Sequence, residues 1–197
     1  MRFKHLVIVC CTLFIASCSG GTADYRLPDG AIELSDQFSG DFTLVDTSGE
    51  TRTDEDFRGK VSIFYFGFTT CPDVCPLALR RLSAALDEAT DDVIADIKPI
   101  FVTVDPKRDT TEIIADYVSF DERFIGLTGT PEAIEDAKVA FKVYASEEKL
   151  EGSTLEYTVN HTSLFYVVDR EGRPRYALQD TLPPAEIASF LEYATTW

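Results

Sequence analysis

Hydrophobic residues fall into two alternating patterns along the chain from about residue 38 onwards. The run at residues 61–66 is continuous and rich in β-branched and aromatic side chains, which predicts a strand buried on both faces. A following stripe at helical spacing predicts an amphipathic helix, and consists of Val74, Ala78, Leu82, Ala85, Leu86 and Ala89. The same two patterns then predict strands over 98–104, 124–127, 163–168 and 175–178, and helices over 109–118, 130–144 and 183–193.

The order of these elements predicts the fold class. A hairpin over residues 42–49 precedes two strand–helix–strand units, a second hairpin and a terminal helix. This is the order of an α/β domain of thioredoxin-like fold with an N-terminal β-hairpin extension. The polar stretch over residues 146–157 is predicted to be a surface loop.

The N-terminus is typical of a targeting segment. Arg2 and Lys4 precede the apolar run 6–16, which is too short to span about 30 Å of hydrocarbon and fits the core of a signal peptide. The run ends in Ile15-Ala-Ser-Cys18, which resembles a bacterial lipobox. An ordinary signal peptide or an apolar helix is the alternative. We therefore expect a signal peptide over 1–17, a lipidated Cys18 with a flexible tether over 18–37, and an extracytoplasmic, membrane-anchored domain over 38–197.

The net charge limits the kinds of partner that the chain can bind, and the few cysteines and histidines limit its possible metal and redox sites. The chain has 18 basic and 34 acidic residues and a net charge of −16, which becomes −18 without residues 1–17, where Arg2 and Lys4 are the only charged residues. Such a surface repels nucleic acid and anionic lipid. Beyond Cys18, only Cys71, Cys75 and His161 remain as candidates for soft-metal or redox chemistry.

The two cysteines belong to the motif Thr70-Cys-Pro-Asp-Val-Cys-Pro76, where a predicted strand ends and a helix begins. The amides and dipole at a helix N-terminus lower the pKa of a thiol there. A spacing of four residues brings both sulfurs within reach of each other or of one metal ion. A purely structural disulfide is the alternative, although so short a loop stabilises little.

His161 lies in Val159-Asn-His-Thr162, just before a predicted strand. Thioredoxin-like oxidoreductases place a cis-proline there, against their active-site thiols. This segment has no proline, so we expect the imidazole to lie near the sulfurs of Cys71 and Cys75. Two thiolates and an imidazole suit Cu(I), or Cu(II) with an added oxygen donor, but zinc also accepts them. A hydrogen-bonded structural histidine is the alternative.

Four segments, in order, resemble the Sco/SenC family, whose members are copper-binding assembly factors for cytochrome c oxidase. They are Phe66-Gly-Phe-Thr-Thr-Cys-Pro-Asp-Val-Cys-Pro76, Val104-Asp-Pro-Lys-Arg-Asp-Thr110, Phe124-Ile-Gly-Leu-Thr-Gly-Thr130 and His161-Thr-Ser-Leu-Phe-Tyr-Val-Val-Asp169. The resemblance implies that Cys71, Cys75 and His161 are copper ligands. It also implies a partner, the oxidase subunit that carries the binuclear copper A site. Thr70 departs from the family, in which many members have histidine.

Two functions stay open at this point. The chain is either a metallochaperone that carries copper to the oxidase, or a thiol–disulfide reductase in which Cys71 and Cys75 reduce the oxidase cysteines. His161 favours the first, because dithiol exchange needs no imidazole. A thiol peroxidase is excluded, since Phe68 stands where that class has threonine.

Asp105 and Asp109 lie in the second matched segment. The simpler interpretation makes them a strand-end turn and a helix cap, with Asp109 opening a capping box that ends at Glu112. In the alternative, Asp105 lies near the copper loop as a supporting group or a contact for the partner. Neither is predicted to be a ligand.

Overall fold

The computed structural model describes residues 25–152 and 155–197. The predicted signal peptide and the lipobox residue Cys18 lie outside this part of the chain. Within it, no helix combines the length and the apolar character that crossing a bilayer would require.

A mixed eight-stranded sheet forms the centre of the domain. Its strands are β1 (Ala31–Glu33), β2 (Thr43–Asp46), β3 (Thr51–Thr53), β4 (Val61–Gly67), β5 (Ile97–Thr103), β6 (Ile125–Thr128), β9 (Leu164–Val168) and β10 (Pro174–Gln179), and a separate hairpin contains β7 (Ala145–Lys149) and β8 (Tyr157–His161). The spatial order is β1-β10-β9-β4-β5-β6-β2-β3. Strands β4, β5 and β6 are parallel, and the other pairs are antiparallel. This arrangement confirms the predicted α/β class.

Five α-helices accompany the sheet in the described residues, besides one 3₁₀ helix at Asp54–Phe57. They are α1 (Val74–Glu88), α2 (Asp91–Asp96), α3 (Thr111–Val118), α4 (Pro131–Phe141) and α5 (Pro184–Ala194). All seven residues of β4 are buried, because both faces of this central strand are covered. The ring of Phe64 packs 4.9 Å from that of Phe141 in α4. Tyr65, pointing the other way, packs 5.3 Å from Phe165 and faces the cysteine motif.

Several boundaries differ from the predictions. The stretch predicted as a loop over 146–157 contains β7 and the start of β8, since backbone pairing holds a hairpin whose side chains show no apolar alternation. Residues 31–33, predicted to belong to the tether, instead pair with β10 at the edge of the sheet. Val74 is 46% exposed, although its spacing predicted burial. Helix α2 was not predicted.

The cap of α3 also differs from the prediction. Thr110, not Asp109, precedes the helix, and its hydroxyl accepts a hydrogen bond from the amide of Ile113. The carboxylate of Asp109 is turned inward instead, toward the loop that precedes the cysteines.

Candidate metal centre

Cys75 lies in the first turn of α1 and is fully buried against the end of β4. The adjacent backbone is that of Gly67, where an added Cβ would lie only 3.0 Å from the Cys75 sulfur. The same Cβ would lie 3.1 Å from the rings of Tyr65 and Phe101. An alanine at position 67 would therefore crowd the sulfur and both rings, which would have to shift by a few tenths of an ångström.

Cys71 lies in the turn before α1 and is half-buried. Its sulfur is 3.5 Å from the backbone amide of Cys75, one of the helix N-terminal donors that lack an intrahelical partner. A hydrogen bond from the Cys75 thiol, with further bonds from the backbone amides of Cys75 and Asp73, lowers the pKa of Cys71 to about 3 against the opposing effect of burial. Cys71 is therefore a thiolate at neutral pH.

The two cysteines, both free thiols, differ in protonation. The hydrogen bond to Cys71 and burial together raise the pKa of the Cys75 thiol. The pair thus consists of an accessible thiolate and a buried, protonated thiol. The accessible sulfur is the one prepared for nucleophilic or metal-binding chemistry, because the thiolate is the reactive form.

His161 ends strand β8, and its ring Nε2 lies 3.4 Å from the Cys75 sulfur. The other ring nitrogen, Nδ1, is 2.9 Å from the backbone carbonyl of Thr162. A carbonyl only accepts hydrogen bonds, so Nδ1 carries the proton and the neutral imidazole presents the Nε2 lone pair to the sulfurs. Metal-binding histidines are oriented in this way, with the second nitrogen donating to a fixed acceptor.

Aromatic rings hold the imidazole in place. Phe68 and Tyr65 approach His161 edge-on, with ring centroids 5.7 and 6.3 Å away. The Tyr65 hydroxyl is 2.9 Å from the hydroxyl of Ser163, which lies two residues after His161. This contact holds the tyrosine beside the imidazole. These contacts restrict the ring of His161, although its side chain belongs to a hairpin outside the main sheet.

Cys75 and His161 are close enough to bind one metal ion after a small adjustment, and the Cys71 sulfur lies 3.5 Å from the Cys75 amide. Among the described residues, no group of three His, Cys, Asp or Glu side chains is already spaced to hold a metal ion. Bonds of about 2.0 Å to nitrogen and 2.3 Å to sulfur separate two ligands of a three-coordinate ion by roughly 3.7 Å. The observed 3.4 Å differs from this by a few tenths of an ångström, so the donor set fits a soft metal ion.

The family model described as SCO1/SenC matches residues 31–196. The chain belongs to the SCO1/SenC family. Among curated relatives, Protein sco1 of Schizosaccharomyces pombe is 44% identical over 140 residues. These residues cover 70% of this chain but 53% of the yeast protein, so the chain spans about half of that relative's length.

Solved structures of the family confirm the thioredoxin-like fold. The structure of Bradyrhizobium japonicum ScoI with copper bound is 35% identical, with a TM-score of 0.72, and covers 80% of this chain and 99% of that one. The solution structures of apo Sco1 from Thermus thermophilus are 32% identical, with a TM-score of 0.76, and cover 87% and 98%.

The two acidic residues of the second matched segment, Asp105 and Asp109, bind residues that surround the candidate metal centre. The Asp109 carboxylate accepts hydrogen bonds from the Thr69 amide (3.0 Å), the Thr69 hydroxyl (2.6 Å) and the Thr103 hydroxyl (2.6 Å). Burial raises the pKa of Asp109 against these bonds. Asp105 is 3% exposed and bonds Arg108 and the Tyr157 hydroxyl, so it offers little surface to a partner.

The structure thus brings together Cys71, Cys75 and His161, as the sequence predicted. Tyr65, Thr69 and Gly67 also shape the surroundings of the sulfurs, and no sequence pattern predicted their role. Their adjacency to the motif was the available signal, because Tyr65 and Gly67 lie within the last three residues of β4 and Thr69 lies in the loop that leads from it to Cys71.

Proposed function

We propose that this chain is an extracytoplasmic copper metallochaperone that helps to assemble the binuclear copper A site of cytochrome c oxidase. Cys71, Cys75 and His161 hold the copper. The proposal rests on the orientation of His161. Its Nε2 lone pair faces the Cys75 sulfur, while Nδ1 donates a hydrogen bond to a backbone carbonyl. A pair of cysteines working by disulfide exchange alone needs no such imidazole.

The protonation of the cysteines suggests how copper is taken up. Cys71 is the more accessible sulfur and already a thiolate, so it makes the first bond. Cys75 then loses its proton and becomes the second ligand, and His161 adds the third. Two thiolates and one imidazole are soft donors that select Cu(I). Membership of the SCO1/SenC family and the copper held by the Bradyrhizobium japonicum relative support copper over zinc.

Exposed apolar side chains beside the cysteines support delivery to a protein. Val74 and Leu77, in the first turn of α1, are 46% and 45% exposed. Copper passes between proteins only when donor and acceptor ligands approach closely, and an apolar rim allows two surfaces to do so at a small desolvation cost. We infer that the partner is the oxidase subunit that carries the copper A site.

A thiol–disulfide reductase is the second candidate, and the unequal cysteines favour it. The Cys71 thiolate would attack a partner disulfide, forming a mixed disulfide and releasing one partner thiolate. Cys75, after losing its proton, would attack Cys71, forming the Cys71–Cys75 disulfide and releasing the second partner thiol. An accessible thiolate followed by a buried thiol suits these two steps.

Oxidase activity in cells separates the two functions. His161→Ala keeps both thiols, so a reductase would support near-normal oxidase while Cys71→Ala would not. A copper carrier would lose oxidase activity almost as fully with His161→Ala as with Cys71→Ala. Added copper should restore part of the His161→Ala loss by mass action. Near-normal oxidase activity in the His161→Ala strain would overturn the copper-carrier proposal.

We also propose that a lipid on Cys18 anchors the protein on the extracytoplasmic side of a membrane. The proposal rests on the lipobox-like sequence Ile15-Ala-Ser-Cys18 after an apolar run. Stable anchoring takes more than one acyl chain, as a bacterial lipoprotein carries. Cys18→Ser should abolish lipid labelling and precursor processing, with Cys71→Ser as the matched control. Unchanged processing and membrane retention in Cys18→Ser would contradict the anchor.

A further inference from the structure

His161 is attached to a hairpin that lies outside the eight-stranded sheet. Strands β7 and β8 pair only with each other. At its base, the hairpin is closed by two bonds between Tyr144 and Thr162, of 2.9 and 3.1 Å. The position of the histidine relative to the cysteines therefore depends on what else fastens this hairpin to the domain.

Arg108 fastens the hairpin at the start of β8, its second strand. Its guanidinium lies 3.8 Å from the centre of the Tyr157 ring, and Nη1 donates to the Tyr157 carbonyl at 2.9 Å. Its Nε donates to Asp105, which also accepts a hydrogen bond of 2.8 Å from the Tyr157 hydroxyl. The first residue of β8 is thus held on its ring, its hydroxyl and its backbone at once, and His161 is the last residue of the same strand.

Asp109, one residue further on, fastens the cysteine loop. It binds both the amide and the hydroxyl of Thr69, two residues before Cys71. It is fixed in turn by the hydroxyl of Thr103 at the end of β5, and its own carbonyl accepts from Thr128 in β6. The loop that carries Cys71 is therefore tied to the parallel part of the sheet.

We propose that residues 105–109, which we call the brace, fix the His161 hairpin relative to the cysteine loop and so determine how firmly the imidazole engages copper. The inference rests on the proposed copper site and adds the residues that position it. Arg108 and Asp105 hold the histidine side, and Asp109 holds the cysteine side. None of the three is a ligand; each acts through the strand or loop that it holds.

The expected effect on copper affinity follows because only one of the three ligands, the imidazole, is attached to the hairpin. If the hairpin loosens, two thiolates can still hold Cu(I), but the imidazole spends less time in reach. Groups that orient metal ligands typically contribute about 10- to 100-fold to metal affinity. Loss of Arg108 should therefore weaken copper binding by about tenfold, and only through His161.

The first experiment needs no metal. Hydrogen exchange is measured on the full chain in detergent micelles and compared with that of Arg108→Lys. Lysine keeps the charge but lacks the planar guanidinium, which bonds and stacks on Tyr157. Amides of β7 and β8 should exchange at least about tenfold faster, while those of β4 stay unchanged. The control is Arg123→Lys, because Arg123 is similarly buried, at 25% against 22% exposed side chain, and binds Asp121 and Asp87 instead.

The second experiment uses copper as the probe. Arg108→Lys should lower copper affinity about tenfold in the wild-type chain and not at all in a His161→Ala chain, since no imidazole is left to position. Asp109→Asn should lower affinity in both chains, because it acts on the cysteine loop. Asp46→Asn is its control, a buried aspartate that binds its own turn at Ser48 and Glu50.

Two results would overturn the brace. One is unchanged exchange of β7 and β8 in folded Arg108→Lys; the other is an equal loss of copper affinity with and without His161. If Arg108→Lys fails to fold, Tyr157→Phe replaces it, removing only the bond to Asp105, with the same pattern expected at smaller size. A wild-type chain that binds no copper would refute the proposed function, and hydrogen exchange alone would then decide the brace.

Discussion

The two halves of the candidate copper site are built in opposite ways. Cys75 is fully buried beside β4, a strand with all seven residues in the core. His161 ends a hairpin in which β7 has no buried residue and β8 buries only Val159. The Cys75 sulfur is thus positioned by the core of the domain, the loop of Cys71 is tied to the sheet through Asp109, and the imidazole depends on a peripheral hairpin held by Arg108.

This difference suggests a division of labour. Rigid surroundings keep the two sulfurs at a constant separation, which suits retention of a soft ion. A ligand on a small hairpin can leave at a low cost in free energy, because few buried contacts must break. A carrier that must both hold and release copper benefits from one ligand of each kind.

Removing ligands should give the largest effect and show the asymmetry. Cys75→Ala should lower copper affinity far more than the 100-fold that supporting groups reach, because only one thiolate is left. His161→Ala should weaken binding strongly but less than Cys75→Ala, since the two sulfurs remain. Competition titrations under anaerobic conditions measure both. Equal losses for the two variants would remove the distinction between the halves.

Gly67→Ala should have the next largest effect, on the part of the copper site that lies in the core. The new Cβ, 3.0 Å from the Cys75 sulfur and 3.1 Å from two rings, should destabilise the fold by about 1–3 kcal/mol and weaken copper binding. The control is Gly49→Ala, where φ is +86° but the space is open, so that stability falls and copper affinity does not. Chemical denaturation and copper titration read the two effects, and a Gly67→Ala chain with wild-type copper affinity would contradict the packing argument.

The pH dependence of binding should reflect the unequal thiols. Near neutral pH, Cys71 is already ionised, with a pKa of about 3, whereas the raised pKa of Cys75 keeps its proton on. Copper must displace that one proton, so affinity should rise about tenfold per pH unit between about pH 7 and 8. Cu(I) competition at several pH values measures the slope. A change near 100-fold per unit at pH 7 would mean that both cysteines are ordinary thiols.

The smallest effect is expected at the surface contact between the brace and β7. Lys107 and Glu147 form an ion pair whose side chains are 61% and 50% exposed. Lys107→Gln should leave both the free energy of unfolding and the copper affinity almost unchanged, because water screens an exposed ion pair. Thermal unfolding at low and high salt measures it, with Arg108→Lys alongside. A loss of copper affinity as large as that of Arg108→Lys would place the fastening elsewhere than proposed.

The sequence predicted the core half better than the peripheral half. β4 and the buried stripe of α1 follow from patterns of apolar residues, because burial imposes those patterns. β7 was missed, since its five polar or small residues pair through the backbone and show no apolar alternation. Position 109 shows a second limit: both its aspartate and Thr110 could cap α3, and only the fold reveals that Asp109 binds Thr69. Tertiary hydrogen bonds of this kind leave no periodic signal.

Counting the donor atoms on copper tests the proposal that His161 completes a copper site with two buried or half-buried sulfurs. X-ray absorption of the reduced, copper-loaded protein counts the donor atoms directly. We expect two sulfurs and one nitrogen on copper in the wild-type chain, and two sulfurs without that nitrogen in His161→Ala. A nitrogen donor that persists in His161→Ala, or a wild-type site with a single sulfur, would contradict it.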